Sequence, residues 1–137
     1  MVTKKIYWLV YTVLIGMIPI FAKLILFFSI NSQSINTILN ISDLVSFGLV
    51  ICVSIMSELL RFELQNDNWK TVSLGIVIIF LVFYGLFFAL AYLSEETNLD
   101  VNMVSLRIMT IVFVIINFFA GLTIFDRIIK RENNNVF

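Results

Sequence analysis

Four long apolar stretches occupy most of this 137-residue chain: Ile6–Phe28, Ile38–Leu60, Val72–Leu93 and Met103–Phe125. Each has the ~20 residues that a helix needs to cross a bilayer. Lipid supplies no hydrogen bonds to a backbone, so stretches of this length must satisfy their own amides, and helices do so. The expected fold is an all-α membrane protein with four transmembrane helices, short loops and both termini cytoplasmic. The whole chain, 1–137, reads as one transmembrane four-helix bundle.

Composition supports this. The chain is 61% hydrophobic and 13% charged, too few charges for a soluble domain to cover its apolar surface. Zero net charge leaves no basic field for direct nucleic-acid binding. With no histidine and a single cysteine, Cys52, His-ligated cofactors, zinc sites of the usual ligand count, histidine-dependent catalytic triads and intrachain disulfides are excluded. Cys52 sits in an apolar run and reads as a buried, inert thiol. Neither a phosphate-binding loop nor a catalytic cluster is present. The chain is therefore expected to be no enzyme and to need no cofactor. Lys4 and Lys5 before an apolar run resemble a signal peptide, but that run is too long and lacks a small-x-small cleavage site. It reads as a retained first helix.

The cations orient the spans. Lys4, Lys5, Arg61, Lys70, Arg127, Lys130 and Arg131 all fall on one side of the four-span arrangement. The other two loops, Ser29–Thr37 and Ser94–Asn102, contain no Lys or Arg, and the second carries Glu95, Glu96 and Asp100. The positive-inside rule then places both termini in the cytoplasm of a bacterial inner membrane. Tyr7, Trp8, Tyr11 and Trp69 fall at the inner interface, where aromatic belts belong.

Lys23 and Arg107 lie inside spans, with Asp43 at a comparable depth in the outer leaflet. They form a candidate charge cluster, because pairing would reduce the cost of burying each charge; the alternative is two cations snorkelling to the headgroups. At ~100° per residue, polar residues form stripes on three helices. Helix 2 carries Asp43, Ser46, Ser54, Ser57 and Arg61. Helix 4 carries Arg107, Thr110, Asn117 and Gly121, and helix 1 carries Thr12, Gly16, Pro19 and Lys23. Gly85 and Ala89 on helix 3 have the spacing that permits close helix contact. Two readings of the stripes stay open. In one, they pack helix against helix. In the other, Ser46, Val50, Ser54, Ser57, Thr110 and Asn117 line a water-filled path in an oligomer, with Val50 as an apolar constriction; a binding crevice for lipid or a partner helix is a further alternative. Asn117, deep in its span, needs a partner, and an inter-helix bond is expected. Pro19 is expected to kink helix 1 and free a carbonyl near Ile15. Arg61, Lys70, Arg127 and Lys130 form a candidate face for a cytosolic protein partner.

Two lysines before helix 1, four spans, short loops and a basic end at Arg127–Arg131 make an arrangement that resembles the small four-span membrane subunits of bacterial antiphage defence operons, nearest the membrane subunit of the Kiwa system. That resemblance implies a homo-oligomer in the inner membrane, bound to a cytosolic effector and sensing phage attack at the envelope; it carries over no functional residue. Small multidrug exporters also have four spans but place a glutamate in helix 1, where this chain has only Lys23. The expected function is a non-enzymatic, oligomeric inner-membrane subunit that anchors or signals to a cytosolic effector. An oligomeric ion channel or holin-like pore is the second expectation, and a small transporter or lipid-binding membrane protein the third.

Overall fold

The computed structural model describes residues 2–29, 40–61, 68–97 and 100–134, with the side chains of Val2, Thr3 and Asn133 outside that description. Four α-helices make up all but residues 40 and 100–102 of the described residues: α1 (Val2–Ser29), α2 (Ile41–Arg61), α3 (Asn68–Thr97) and α4 (Met103–Asn134). All four are long and apolar enough to cross a membrane. The protein is an all-α, multi-pass membrane protein.

The helices run further than the apolar stretches in three cases. Hydropathy marks where side chains become polar, whereas backbone hydrogen bonding continues until something stops it. Thus α4 runs through Asp126, Arg127, Lys130 and Arg131 to Asn134, so these charges are helical and do not form a tail. At 32 residues and 1.5 Å per residue it is about 48 Å long, against a hydrocarbon core of ~30 Å. Similarly, α3 begins at Asn68 and carries Lys70 in its first turn. It ends at Thr97, so Glu95 and Glu96 lie on the helix and not in the expected Ser94–Asn102 loop. The second span starts later than expected, at Ile41 rather than Ile38. Asn40 stops it: its carbonyl accepts from the amides of Asp43 (3.1 Å) and Leu44 (3.3 Å). Asn102 caps α4, its Oδ1 accepting from the Ser105 amide at 3.1 Å. Residues 30–39, which include most of the polar Asn31–Asn40 segment, lie outside the described residues, as do Glu63 and Asp67.

The first helix is unbroken through Pro19. At its N-terminal end Lys4 pairs with Glu132 near the end of α4, at 3.1 Å. The start of α1 and the end of α4 therefore share one side of the bundle, the basic end.

The centre of the bundle is α2, which packs against each of the other three helices, while α3 also packs on α4. One face of α2 carries Ile41, Val45, Gly48, Ile51, Cys52, Ile55 and Leu59, all buried. A glycine permits the close approach at each of its three contacts. A methyl on Gly48 would overlap the Tyr84 ring of α3, and one on Gly16 of α1 would overlap the Phe47 ring of α2. On Gly121 of α4 it would lie 2.7 Å from Ile55 Cδ1. The expected Gly85/Ala89 contact is absent among the described residues. Both residues are exposed, and nothing lies near a methyl built on Gly85. Spacing alone cannot say which small residues face a neighbour. Instead, α3 and α4 meet through aromatic rings: Phe113 lies 5.1–5.3 Å, centroid to centroid, from Phe80, Phe83 and Phe87, in tilted and edge-on geometries that such pairs favour.

Candidate functional site

Three groups of polar residues stand out in the bundle. The first is a buried knot at mid-span. Asn117 of α4, 1% exposed, donates through Nδ2 towards the Gly48 carbonyl (3.1 Å), the Tyr84 hydroxyl (3.2 Å) and Cys52 Sγ (3.3 Å). An amide in an apolar core needs partners because no water reaches it. Here they come from two other helices, so the knot ties α2, α3 and α4 together. Thr110, on the same face, donates back to the Leu106 carbonyl at 2.8 Å. It thereby satisfies its own hydroxyl without a second helix.

The second group joins α1 to α2. Lys23 Nζ lies 2.6 Å from Asp43 Oδ2. The Asp43 side chain is only 10% exposed and that of Lys23 31%, so the carboxylate is held inside the bundle by a cation that reaches towards its edge. Asp43 also sits in the first turn of α2, where the helix dipole favours an anion. Beyond Gly16 and Phe47, towards the basic end, lies a hydroxyl pair, Thr12 Oγ1 and Ser54 Oγ, 2.9 Å apart. Within the candidate cluster of Lys23, Asp43 and Arg107 the direct pair is Lys23 with Asp43; Arg107, which has contacts of its own, stands half-buried at the same end, on the first turns of α4.

The third group lies at the basic end. Besides Lys4 and Glu132, Lys5 Nζ is 2.6 Å from Asp126, and Trp8 stacks on Phe125 with centroids 4.7 Å apart. Arg127 and Arg131 sit over the Trp69 ring, at 5.8 and 5.2 Å from its centroid. These cation–π contacts attach the end of α4 to the start of α3. Arg61 closes α2, 3.9 Å from Glu58 one turn earlier. The sequence pattern marked Arg61, Lys70, Arg127 and Lys130 as one face. It did not foresee that Asp126 and Glu132, next to Arg127 and Arg131 in the sequence, pair with Lys5 and Lys4 of α1, nor that the Trp69 ring forms a platform for the arginines, because both depend on how the helices cross.

Within one chain the six residues expected to line a path in an oligomer fall on different surfaces. Asn117 and Thr110 point into the buried face between α4 and α2. Val50, Ser54 and Ser57 lie on the other side of α2, in a groove against α1, while Ser46 bonds back to the Ser42 carbonyl at 2.8 Å. Within one chain Val50 is a wall of that groove. The reason is periodic: on α2 the polar stripe lies opposite the apolar face, whereas on α4 the stripe is itself the packing face. Two stripes that look equivalent in sequence therefore face different surroundings.

Among the described residues no cluster of His, Cys, Asp and Glu could hold a metal ion. No family model, curated protein or solved structure matches this chain.

Proposed function

We propose that this protein is a non-enzymatic subunit of a bacterial inner membrane. In this reading it forms homo-oligomers, keeps both termini in the cytoplasm and presents its basic end to a cytosolic effector, in an antiphage defence role of the kind its arrangement resembles. The observation that supports this reading is the construction of the basic end. Lys4, Lys5, Trp69, Arg127 and Arg131 are all held by contacts between different helices. An ordered, charged platform at the end of an otherwise apolar bundle is a surface that a protein partner can read. The positive-inside bias supplies the orientation.

The test is purification from native cells in mild detergent, followed by intact-complex mass measurement. Several copies of the chain together with a second, soluble chain are expected. Charge reversal at Lys70, Arg127 and Lys130 should release the second chain while leaving insertion intact. A chain that purifies alone and confers its phenotype alone would sink the proposal.

One observation favours a second reading, a pore formed between copies. Ser57 is exposed on α2 within a span, and Val50 and Ser46, about two and three turns further along the same side, are half-buried. Polar groups facing out of a bundle need water or another chain. Ion flux through liposomes that changes with Ser57→Trp would support a pore. Absence of flux from a correctly inserted oligomer would exclude it.

A further inference from the structure

The groove between α1 and α2 adjoins a second cavity at the basic end. The two share Tyr11, Thr12, Ser54 and Glu58 as walls, so they lie side by side along one crevice, with the Thr12–Ser54 hydroxyl pair between two chemically different parts. The deeper part, about 520 Å³, is walled by Ile15, Leu49, Val50 and Val53 as well as the shared residues. The outer part, about 360 Å³, is lined by Lys4, Trp8, Arg61 and Glu132 among others. Arg61 and Val50 stand eleven residues apart on one helix, about 16 Å along its axis. That is the distance from a headgroup into the acyl region of one leaflet.

We propose that this crevice binds a single phospholipid whose headgroup carries both a phosphate and a primary amine, as phosphatidylethanolamine does. The acyl chain lies along the apolar part between α1 and α2, and the headgroup lies in the charged part.

Charge complementarity selects this headgroup. The outer part offers two cations and two carboxylates, arranged as Lys4 with Glu132 at 3.1 Å and Arg61 with Glu58 at 3.9 Å. A phosphate takes up the guanidinium or ammonium, and a primary ammonium donates hydrogen bonds to the carboxylates. An anionic headgroup without an amine, such as glycerol phosphate, would face Glu58 and Glu132 with neutral hydroxyls and no charge to match theirs. A choline headgroup has the positive charge but no N–H to donate. The Arg61–Glu58 contact is long, so a headgroup can insert between the two without breaking a short ion pair. Trp8, 8% exposed, lines the same outer part, and its indole N–H finds no acceptor among the described residues. The indole nitrogen is itself buried, and other atoms of Trp8 line the cavity.

Trp8 also provides the readout. In a Trp69→Phe background it is the sole tryptophan. The protein is reconstituted in vesicles of mixed phosphatidylethanolamine, phosphatidylglycerol and phosphatidylcholine, with brominated acyl chains on one headgroup class at a time. Brominated phosphatidylethanolamine should quench Trp8 about tenfold more effectively, per mole fraction, than brominated phosphatidylcholine, the selectivity expected of one charge-assisted hydrogen bond. Glu58→Gln with Arg61→Gln should abolish the preference. Independently, Val50→Phe should reduce quenching by all three lipids by filling the acyl part. Equal quenching by the three headgroups would overturn the proposal, since only annular lipid would then surround Trp8. So would a preference for phosphatidylglycerol, and so would a preference that survives the Glu58/Arg61 double substitution.

Discussion

The two faces of α2 are built differently. Towards α3 and α4 it presents Gly48, Ile51, Cys52 and Ile55, buried and almost wholly apolar, with one amide, Asn117, tied into the contact. Towards α1 it presents Asp43, Phe47 and Ser54, and the contact is made by an ion pair, a glycine under an aromatic ring and two hydroxyls. In lipid the hydrophobic effect does not drive helices together, so both faces rely on shape and polar pairing. The first face uses shape with one polar knot, and the second uses polar latches spaced along a groove. α1 is correspondingly the most exposed span: 11% of its apolar window is buried, against 44% for α2. The difference divides the protein into a tight three-helix unit and an arm fastened to its side.

The strongest way to break that division is to remove the deeper latch. Lys23→Met leaves the Asp43 carboxylate buried without its cation and should cost about 3 kcal/mol. Cysteines placed at Thr12 and Ser54 should then cross-link poorly while the three-helix unit stays folded. Adding Asp43→Asn should recover most of the loss. If the double variant is as loose as the single one, the latch is not electrostatic.

Next in size is Gly48→Ala. Its methyl overlaps Tyr84, which is 0% exposed and has nowhere to move; a loss of about 2 kcal/mol is expected. Gly16→Ala meets Phe47, which is only partly buried, and should cost less. Unfolding in mixed detergent measures both, and equal losses would mean that the two faces are equally rigid. The smallest effect is expected from Asn117→Leu, about 1 kcal/mol, the usual size of an inter-helix hydrogen bond in a membrane. That loss should appear in unfolding of the three-helix unit and leave the Thr12–Ser54 cross-link unchanged.

Much of the fold was legible in the residues. Span number follows from hydropathy, and the basic end from counting Lys and Arg. That Asp43 could pair with Lys23 or Arg107 needed only matching depth and opposite charge, and the helix packing selects Lys23 for the direct contact. Other features were hidden. Gly85 and Ala89 have the spacing of a helix contact and make none among the described residues, while Gly48, with no small partner at that spacing, makes the closest. The aromatic cluster around Phe113 was invisible because phenylalanine on a membrane helix is equally at home against lipid. Helix ends were misjudged wherever polar residues continue a helix, as Asp126–Asn134 does.

Sequence by itself determined that this chain lies in a membrane, how many times it crosses and which end is basic, because transfer from water to lipid is a sum over residues and needs no knowledge of neighbours. Tertiary structure alone decided what each polar stripe is for. Inside a bilayer a stripe can face a helix, a groove or another chain at similar cost, and only the angle at which the helices cross selects among them. On α4 the stripe was turned into the core and became a knot. On α2 it was turned towards α1, where it fastens an arm and lines a crevice.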